Sequence, residues 1–396
     1  MKYMKSIIHL FLLIACVVCL ASCHDDVAPD DKPESDYTHG STLLVYAVAS
    51  NNLRSSLDRD IDEIKEALRN TPSASVLVYE ARDQYIYGEY VRSNPQLKRY
   101  YSEGTEAKEE ILKEYPASVA STDPQRMSEV IDDAASIAGA SLKGLILWSH
   151  ALGWQPANNK ASGKKRSFGL DIRDKMDIDL LADAIPDAGF EYIWMDCCYM
   201  SSIEVIYQLR KKARYYIGYP TEILSAGLPY DRVIPLLLRD NPDIRKAAEK
   251  AFGFYNSFDD YRRSMTIAVS DLSRIEEAAD AAAEIMRSFS PVDTEGMQRY
   301  SRFDQGPYFD LGEYLSKMAS FADDKDKLIK RLNSALSGMV VFKAATPSFL
   351  PEQHGFMIRE ESFSGISAHA FAENGSHDEE FYKTLDWYKR VFPATD

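Results

Sequence analysis

The chain has 396 residues, of which 45% are hydrophobic, 11% aromatic and 27% charged, the make-up of a globular protein with a sizeable core. This excludes a disordered, collagen-like or coiled-coil chain, and the length suits two or three average domains or one α/β sheet with long connections. With 46 Lys and Arg against 61 Asp and Glu the formal charge is −15, which argues against a nucleic-acid partner because phosphate binding needs clustered cations.

Lys2 and Lys5 precede an apolar run from Ile7 to Ala21 that only His9 interrupts. The run is short for a transmembrane helix and has the charged-then-apolar form of a secretory signal. Its end, Leu20-Ala21-Ser22-Cys23, resembles a bacterial lipobox, in which cleavage leaves Cys23 as an acylated N-terminus; an uncleaved anchor or a plain signal peptide is the alternative. Loss of residues 1–22 removes two lysines and no acid, which moves the formal charge to −17. Residues 23–40 are rich in Asp, Pro and Glu and read as an acidic flexible tether. Asp25-Asp26 is either a solvated part of that linker or similar to the acidic signals that send lipoproteins to the outer face of the outer membrane. The expected location is the outer membrane or cell surface, through the lipid on Cys23.

Of the five cysteines, Cys16 and Cys19 leave with the signal and Cys23 carries lipid, so only Cys197 and Cys198 remain in the body. Two adjacent cysteines close no useful loop, which excludes a structural disulfide framework.

The body alternates strands and helices. Thr42 to Val48 is a short, β-rich apolar run, followed by a helix with Leu53, Leu57, Ile61, Ile64 and Leu68 at helical spacing. Further strands are expected at Ser75 to Tyr79, Gly144 to Trp148, Tyr192 to Met195 and Tyr215 to Gly218, with helices over Arg126 to Ala140 and Asp177 to Ala184. Such alternation implies a mostly parallel sheet flanked by helices on both faces, with ligands gathered at the carboxyl ends of the strands. Residues 41–240 thus form an α/β core, and residues 241–396 a mainly helical C-terminal region with helices over 244–258, 272–289, 310–321 and 325–336. A strand-like stretch at 364–371 precedes a last helix at 381–391.

Two strand ends carry the chemistry. Leu145 to Trp148 runs into Ser149-His150, and the later strand runs into Asp196-Cys197-Cys198. Neighbouring ends of a parallel sheet would bring an imidazole and a thiol together, and an imidazole can take the thiol proton to make a nucleophile. The residue types alone fit two buried cysteines and a hydrogen-bonded histidine better than catalysis.

Their surroundings are more specific. Val45-Tyr46, Asn51-Asn52-Leu53, Leu147-Trp148-Ser149-His150, Gly153-Trp154 and Met195 to Val205 resemble the clostripain-type cysteine peptidases, in the same broad group as caspases and gingipains. The similarity runs from about Thr42 to Phe392. It implies a caspase-like sheet and endopeptidase cleavage after Arg or Lys. His150 matches the family's histidine and Cys198 its nucleophile, with Cys197 in place of an alanine. Asp196 matches the aspartate of the basic-residue pocket, and Glu222 and Asp231 are candidates for further acidic lining. Backbone N–H groups of Ala151 and Cys198 would form the oxyanion hole.

Two departures bear on activity. Ala151 stands where the family has Gly, so a left-handed backbone there would cost about 1 kcal/mol and a misaimed donor about 10²–10³ in rate. Cys197 would be able to lock Cys198 in a vicinal disulfide. The rival reading is therefore a catalytically degenerate surface lipoprotein that binds peptide, glycan or a protein partner. Between the two strand ends, residues 158–167 contain Lys160, Lys164, Lys165 and Arg166 in a polar loop. The resemblance implies self-processing there, with Lys164, Lys165 and Arg166 as candidate sites. A solvated surface loop is the alternative. His354, His369 and His377 lack accompanying ligands at metal spacing, and calcium, which the resemblance leaves open because some relatives use it, has no Asp-x-Asp-x-Asp loop with the spacing of a calcium-binding hand. The expected partners are peptides or proteins with basic residues and the membrane, for a monomer either intact or nicked into two chains, needing no cofactor.

Overall fold

The computed structural model describes residues 40–156, 167–286, 292–302, 308–370 and 377–392. Cys23, the signal, the tether, Lys160, Lys164, Lys165 and Arg166 lie outside them. From Thr38 onward the chain forms one compact unit. No helix among the described residues is long and apolar enough to cross a membrane.

A nine-stranded sheet organises this unit. In chain order its strands are β1 (Thr42–Val48), β2 (Ser75–Ala81), β3 (Gln96–Glu103), β4 (Glu106–Glu114), β5 (Leu142–Trp148), β6 (Phe190–Asp196), β7 (Ala213–Gly218), β8 (Thr266–Asp271) and β9 (Val340–Ala345). In space they run β9-β8-β7-β6-β5-β1-β2-β3-β4. The five central strands, β7 to β2, are parallel, and two antiparallel strands close each side. The mostly parallel, helix-flanked sheet expected from the sequence is present. The antiparallel pairs are additions, and β8 and β9 come from beyond residue 240 into the same sheet.

The central strands are continuous apolar runs because both faces are covered. Leu44, Tyr46, Leu145, Leu147, Ile193 and Met195 point into one core, and Leu43, Val45, Ile146, Trp148, Tyr192 and Trp194 into the other. Period-two alternation thus divides each strand between two layers. On the second face lie α1 (Arg54–Arg69), α5 (Tyr230–Leu237) and α6 (Ile244–Asn256). The first face holds α2 (Pro124–Ala138), α3 (Ile178–Ala184), α4 (Ile203–Gln208), α7 (Ile275–Met286), α8 (Leu311–Ala319) and α9 (Lys325–Met339). Asp123 starts α2 by accepting the N–H groups of Gln125 at 2.8 Å and Arg126 at 3.3 Å, with Pro124 supplying a preset first turn.

The C-terminal segments are stitched to the core beside α4. Ser367 donates its N–H to the Ser201 carbonyl at 2.9 Å. Glu204, fully buried on α4, accepts from the His369 N–H at 2.8 Å and the Tyr382 hydroxyl at 3.2 Å.

Burial pushes the Glu204 carboxyl up to about 7. A carboxyl raised in the folded state contributes stability that is present below its unfolded value, near 4.3, and lost as pH rises through 7. On the order of 3 kcal/mol is at stake. Glu204→Gln keeps an acceptor for both donors, so its melting temperature should change less than that of the parent between pH 5 and pH 8. Equal changes in calorimetric scans would remove Glu204 as the titrating group.

Candidate active site

The register of the central ladder sets the site. Trp148 at the end of β5 pairs with Asp196 at the end of β6, and with Ala47 near the end of β1. His150 and Cys198 each lie two residues beyond their paired strand ends. The three strand ends therefore deliver three loops to one edge of the sheet, where open α/β folds bind ligands.

Ser149 fixes the approach of the histidine. Its hydroxyl donates to the Val48 carbonyl at 2.8 Å and accepts from the Leu170 N–H at 3.2 Å. The His150 carbonyl accepts the Gly169 N–H at 2.9 Å. Its ring nitrogen Nε2 stands 2.8 Å from Asn52 Oδ1. With the amide oxygen assigned toward the ring, Nε2 carries a proton and Nδ1 keeps the lone pair that can take another. The preceding Asn51 shapes this turn, donating to Val48 O at 3.0 Å and Leu170 O at 2.7 Å while accepting the Leu53 N–H at 2.8 Å.

The cysteines part company at the end of β6. Cys197 is fully buried in the first core and its thiol donates to the Leu147 carbonyl at 3.0 Å. Cys198 lies past the strand, in a turn where Tyr199 adopts φ 61°. For a bulky residue this left-handed conformation costs about 1–2 kcal/mol and needs external clamping. The clamp consists of the Tyr199 N–H on Thr221 O at 2.8 Å, the Ser201 N–H on Tyr219 O at 3.1 Å, and a stacked Tyr199–Tyr308 pair at 5.4 Å. Gly218 underlies it, where a Cβ would come within 3.2 Å of Ser201 N. The strand alternation that would place Cys198 on the Asp196 face stops at this turn, and Cys198 packs instead against the first core.

Both thiols are free. Cys198 is partly buried, and its Sγ lies 3.4 Å from the Ile223 N–H and 3.8 Å from Ile223 O. Burial pushes this thiol up to about 12; the Ile223 N–H opposes the rise, Glu222 and Asp196 add to it, and Arg302 counters them. Cys198 thus rests as a neutral thiol.

Ala151 is buried and absent from the positive-φ residues, so its Cβ imposes no left-handed strain. It bridges Phe168 in a pairing whose hydrogen bonds are made by Leu152 N–H and the His150 carbonyl, which leaves the Ala151 N–H outside the ladder. The left-handed residue is Gly153, at φ 68°, where a Cβ would lie 2.2 Å from the Tyr308 hydroxyl.

Asp196, 4% exposed, accepts the Tyr230 hydroxyl at 3.0 Å and the Leu228 N–H at 3.3 Å through Oδ2. Burial raises it to about 6 against those two bonds. Glu222 reaches the Cys198 neighbourhood, but both its oxygens are taken by the Arg302 guanidinium, through Nε and through Nη2 at 3.1 Å. Asp231 stands apart, half-buried on the first turn of α5 with Arg232 at 3.7 Å, and its charge acts on Glu63. Sequence reasoning missed Asn52, Asp60 and Arg302 as parts of this edge. Asp60 had a signal: it falls among Leu57, Ile61 and Ile64 on the buried stripe of α1. Among the described residues, no group of three or more His, Cys, Asp or Glu is arranged to hold a metal ion.

The profile of the clostripain family matches residues 45–390. Clostripain from Hathewaya histolytica is 21% identical over 389 residues, covering 78% of this chain and 71% of that protein. An inactive zymogen protease from Parabacteroides distasonis superposes with a TM-score of 0.76 at 26% identity, covering 89% of this chain and 98% of its own. A secreted cysteine protease from Bacteroides thetaiotaomicron, in complex with an irreversible peptide inhibitor, gives 0.74 at 26% identity over 89% of this chain and 98% of its own.

A neutral, clamped Cys198 and a buried Cys197 predict a distinct alkylation pattern. Iodoacetamide should modify Cys198 slowly at pH 7.5, with a rate that climbs about tenfold per pH unit through pH 10, and should leave Cys197 untouched until the chain unfolds. A rate plateau below pH 8 in mass-spectrometric time courses would contradict this resting state.

Proposed function

The chain belongs to the clostripain family of cysteine peptidases, and from that premise we propose that it is an exported, lipid-anchored endopeptidase cleaving after Arg or Lys. The observation that carries the reading is the placement of Asn52, His150 and Cys198 on three neighbouring strand ends, β1, β5 and β6. In that order the thiol can give its proton to the imidazole, which the Asn52 amide orients from the far side.

In this mechanism the Cys198 sulfur attacks the scissile carbonyl carbon as its proton passes to His150. The tetrahedral oxyanion is met by the backbone N–H groups of Ala151 and Cys198, fixed dipoles that need no reorganisation as its charge develops. Collapse breaks the C–N bond, and the His150 proton goes to the departing amine, leaving a thioester on Cys198. Water then attacks the thioester, again losing its proton to His150, and the acid product leaves as the thiol regains that proton. Asn52 holds the imidazole plane throughout. Asp196 supplies the carboxylate for a basic side chain.

The resting arrangement also suits a latent enzyme. Cys198 is protonated and Glu222 is engaged by Arg302. We assign activation to cleavage after Lys164, Lys165 or Arg166. The stems of that loop are tied by Ser167 Oγ donating to Gln155 O at 2.7 Å and by the Ala151–Phe168 bridge, so the two chains would stay joined after a cut. Anchoring through Cys23 rests on the Leu20-Ala21-Ser22-Cys23 sequence.

Two predictions follow from these roles. With a fluorogenic peptide ending in Arg, Asn52→Ala should lower kcat about tenfold or more with little change in KM, while Cys197→Ala stays near the parent. An unchanged kcat for Asn52→Ala would remove it from the mechanism, and loss of all turnover in Cys197→Ala with a folded spectrum would overturn the choice of nucleophile. Cys23→Ser should move the protein from the membrane fraction to the soluble one; retention in the membrane would refute lipid anchoring.

A further inference from the structure

Behind Asp196 lies a second buried carboxylate that the mechanism does not use. Asp60, 2% exposed on α1, accepts the Trp148 indole N–H through Oδ2 at 2.7 Å, and its Oδ1 is buried with no hydrogen-bond partner. Asp196 is in the same condition: Oδ2 is bonded and Oδ1 is buried and unpartnered. Gly227 separates them, at φ 66° and without a side chain. A Cβ built there would lie 3.3 Å from Asp196 Oδ2 and 3.5 Å from Asp60 Oδ2, so the missing methyl leaves a gap that both carboxylates border. Buried carboxylate oxygens without partners are costly, and they are relieved by a proton or by a cation.

The walls of this gap are otherwise spoken for. Tyr230 gives its hydroxyl to Asp196 and its N–H to Glu63, and Tyr255 gives its hydroxyl to Gly227 O. Arg59 bonds Ser56 Oγ at 3.0 Å and Ser225 O at 3.3 Å. Resting on the reading of the chain as a peptidase of basic specificity, we propose that Asp60 and Asp196 together form a two-carboxylate receptor for the cationic side chain preceding the scissile bond. Asp60 is then a specificity residue, and Gly227 is kept free of a side chain to admit the cation.

The empty receptor holds one proton, on Asp60, and one negative charge, on Asp196. Burial and the Asp196 charge push Asp60 up to about 9, with the Trp148 N–H and Arg59 opposing and Glu63 adding. Glu63 itself is raised to about 7 by burial, with Asp231 and Asp196 adding and the Tyr230 N–H and Arg232 opposing. An entering guanidinium or ammonium group pairs with both carboxylates as the Asp60 proton leaves to solvent. Binding of a basic side chain therefore strengthens as pH rises toward 9, and binding of a neutral one does not.

The test compares Arg, Lys and norleucine peptides, otherwise identical, with the parent and Asp60→Asn between pH 6.5 and 9. Asparagine keeps the Trp148 acceptor and the shape. The expected result is a tenfold or greater loss of kcat/KM for the basic peptides only, with the pH slope of KM abolished. Equal losses on all three peptides, or an unchanged slope, would reduce Asp60 to a structural residue while the peptidase reading stands. No cleavage of any peptide by the parent would sink both. A second readout needs no variant: calorimetry of benzamidine binding to the parent, in two buffers of different ionisation enthalpy, should report a proton released near pH 7.5. Binding without proton release, or no binding at millimolar benzamidine, would overturn the receptor.

Discussion

The register between β5 and β6 is the constraint on which the rest of the candidate site depends. Side chains alternate along a strand, so a slip of one residue would exchange the faces of every residue near the strand end. Asp196 would turn into the first core and Cys197 into the second. Gly144 enforces the pairing: it lies opposite Tyr192, and a Cβ on it would fall 2.0 Å from the Tyr192 ring. A single position without a side chain, at the start of β5, thus helps determine which acid and which thiol reach the far end of the ladder.

From that register follows a division of labour among neighbouring residues. Cys197 serves packing, with its thiol closed onto a main-chain carbonyl, while Cys198 is lifted from the strand by the left-handed Tyr199. The strain is held by pairing with residues 219–221 and by the Tyr308 ring, which belongs to the C-terminal half of the chain. Arg302, from the same half, neutralises Glu222 beside the thiol. The Cys198 turn and its electrostatic setting are therefore joint products of segments far apart in sequence.

The sequence showed the buried parts of this design more clearly than the edges. Continuous apolar runs marked β1, β2, β5, β6 and β7, because strands covered on both faces have no polar side. The hairpin Gln96–Glu114 escaped notice because its charged residues alternate across a half-exposed edge, and Val340–Ala345 because only one of its faces is covered. His150 and Cys198 were legible as an imidazole and a thiol just past two neighbouring strand ends. Asn52 was visible only as part of the turn after β1, since its role depends on β1 lying next to β5. Nothing local announces that Tyr199 turns left-handed and ends the strand alternation before Cys198. Glu222 was recognised as an acid near the cleft, but its partner lies 80 residues away and carries no local signal.

The central claim is that Cys198, and not its neighbour, is the nucleophile of a basic-specific peptidase. Its most direct test is peptide mapping by mass spectrometry after reaction of the reduced, loop-nicked protein with a chloromethyl ketone carrying Arg. The account predicts one adduct, on Cys198, that is lost in His150→Ala and blocked by excess benzamidine. An adduct on Cys197, or none on either thiol, would contradict it.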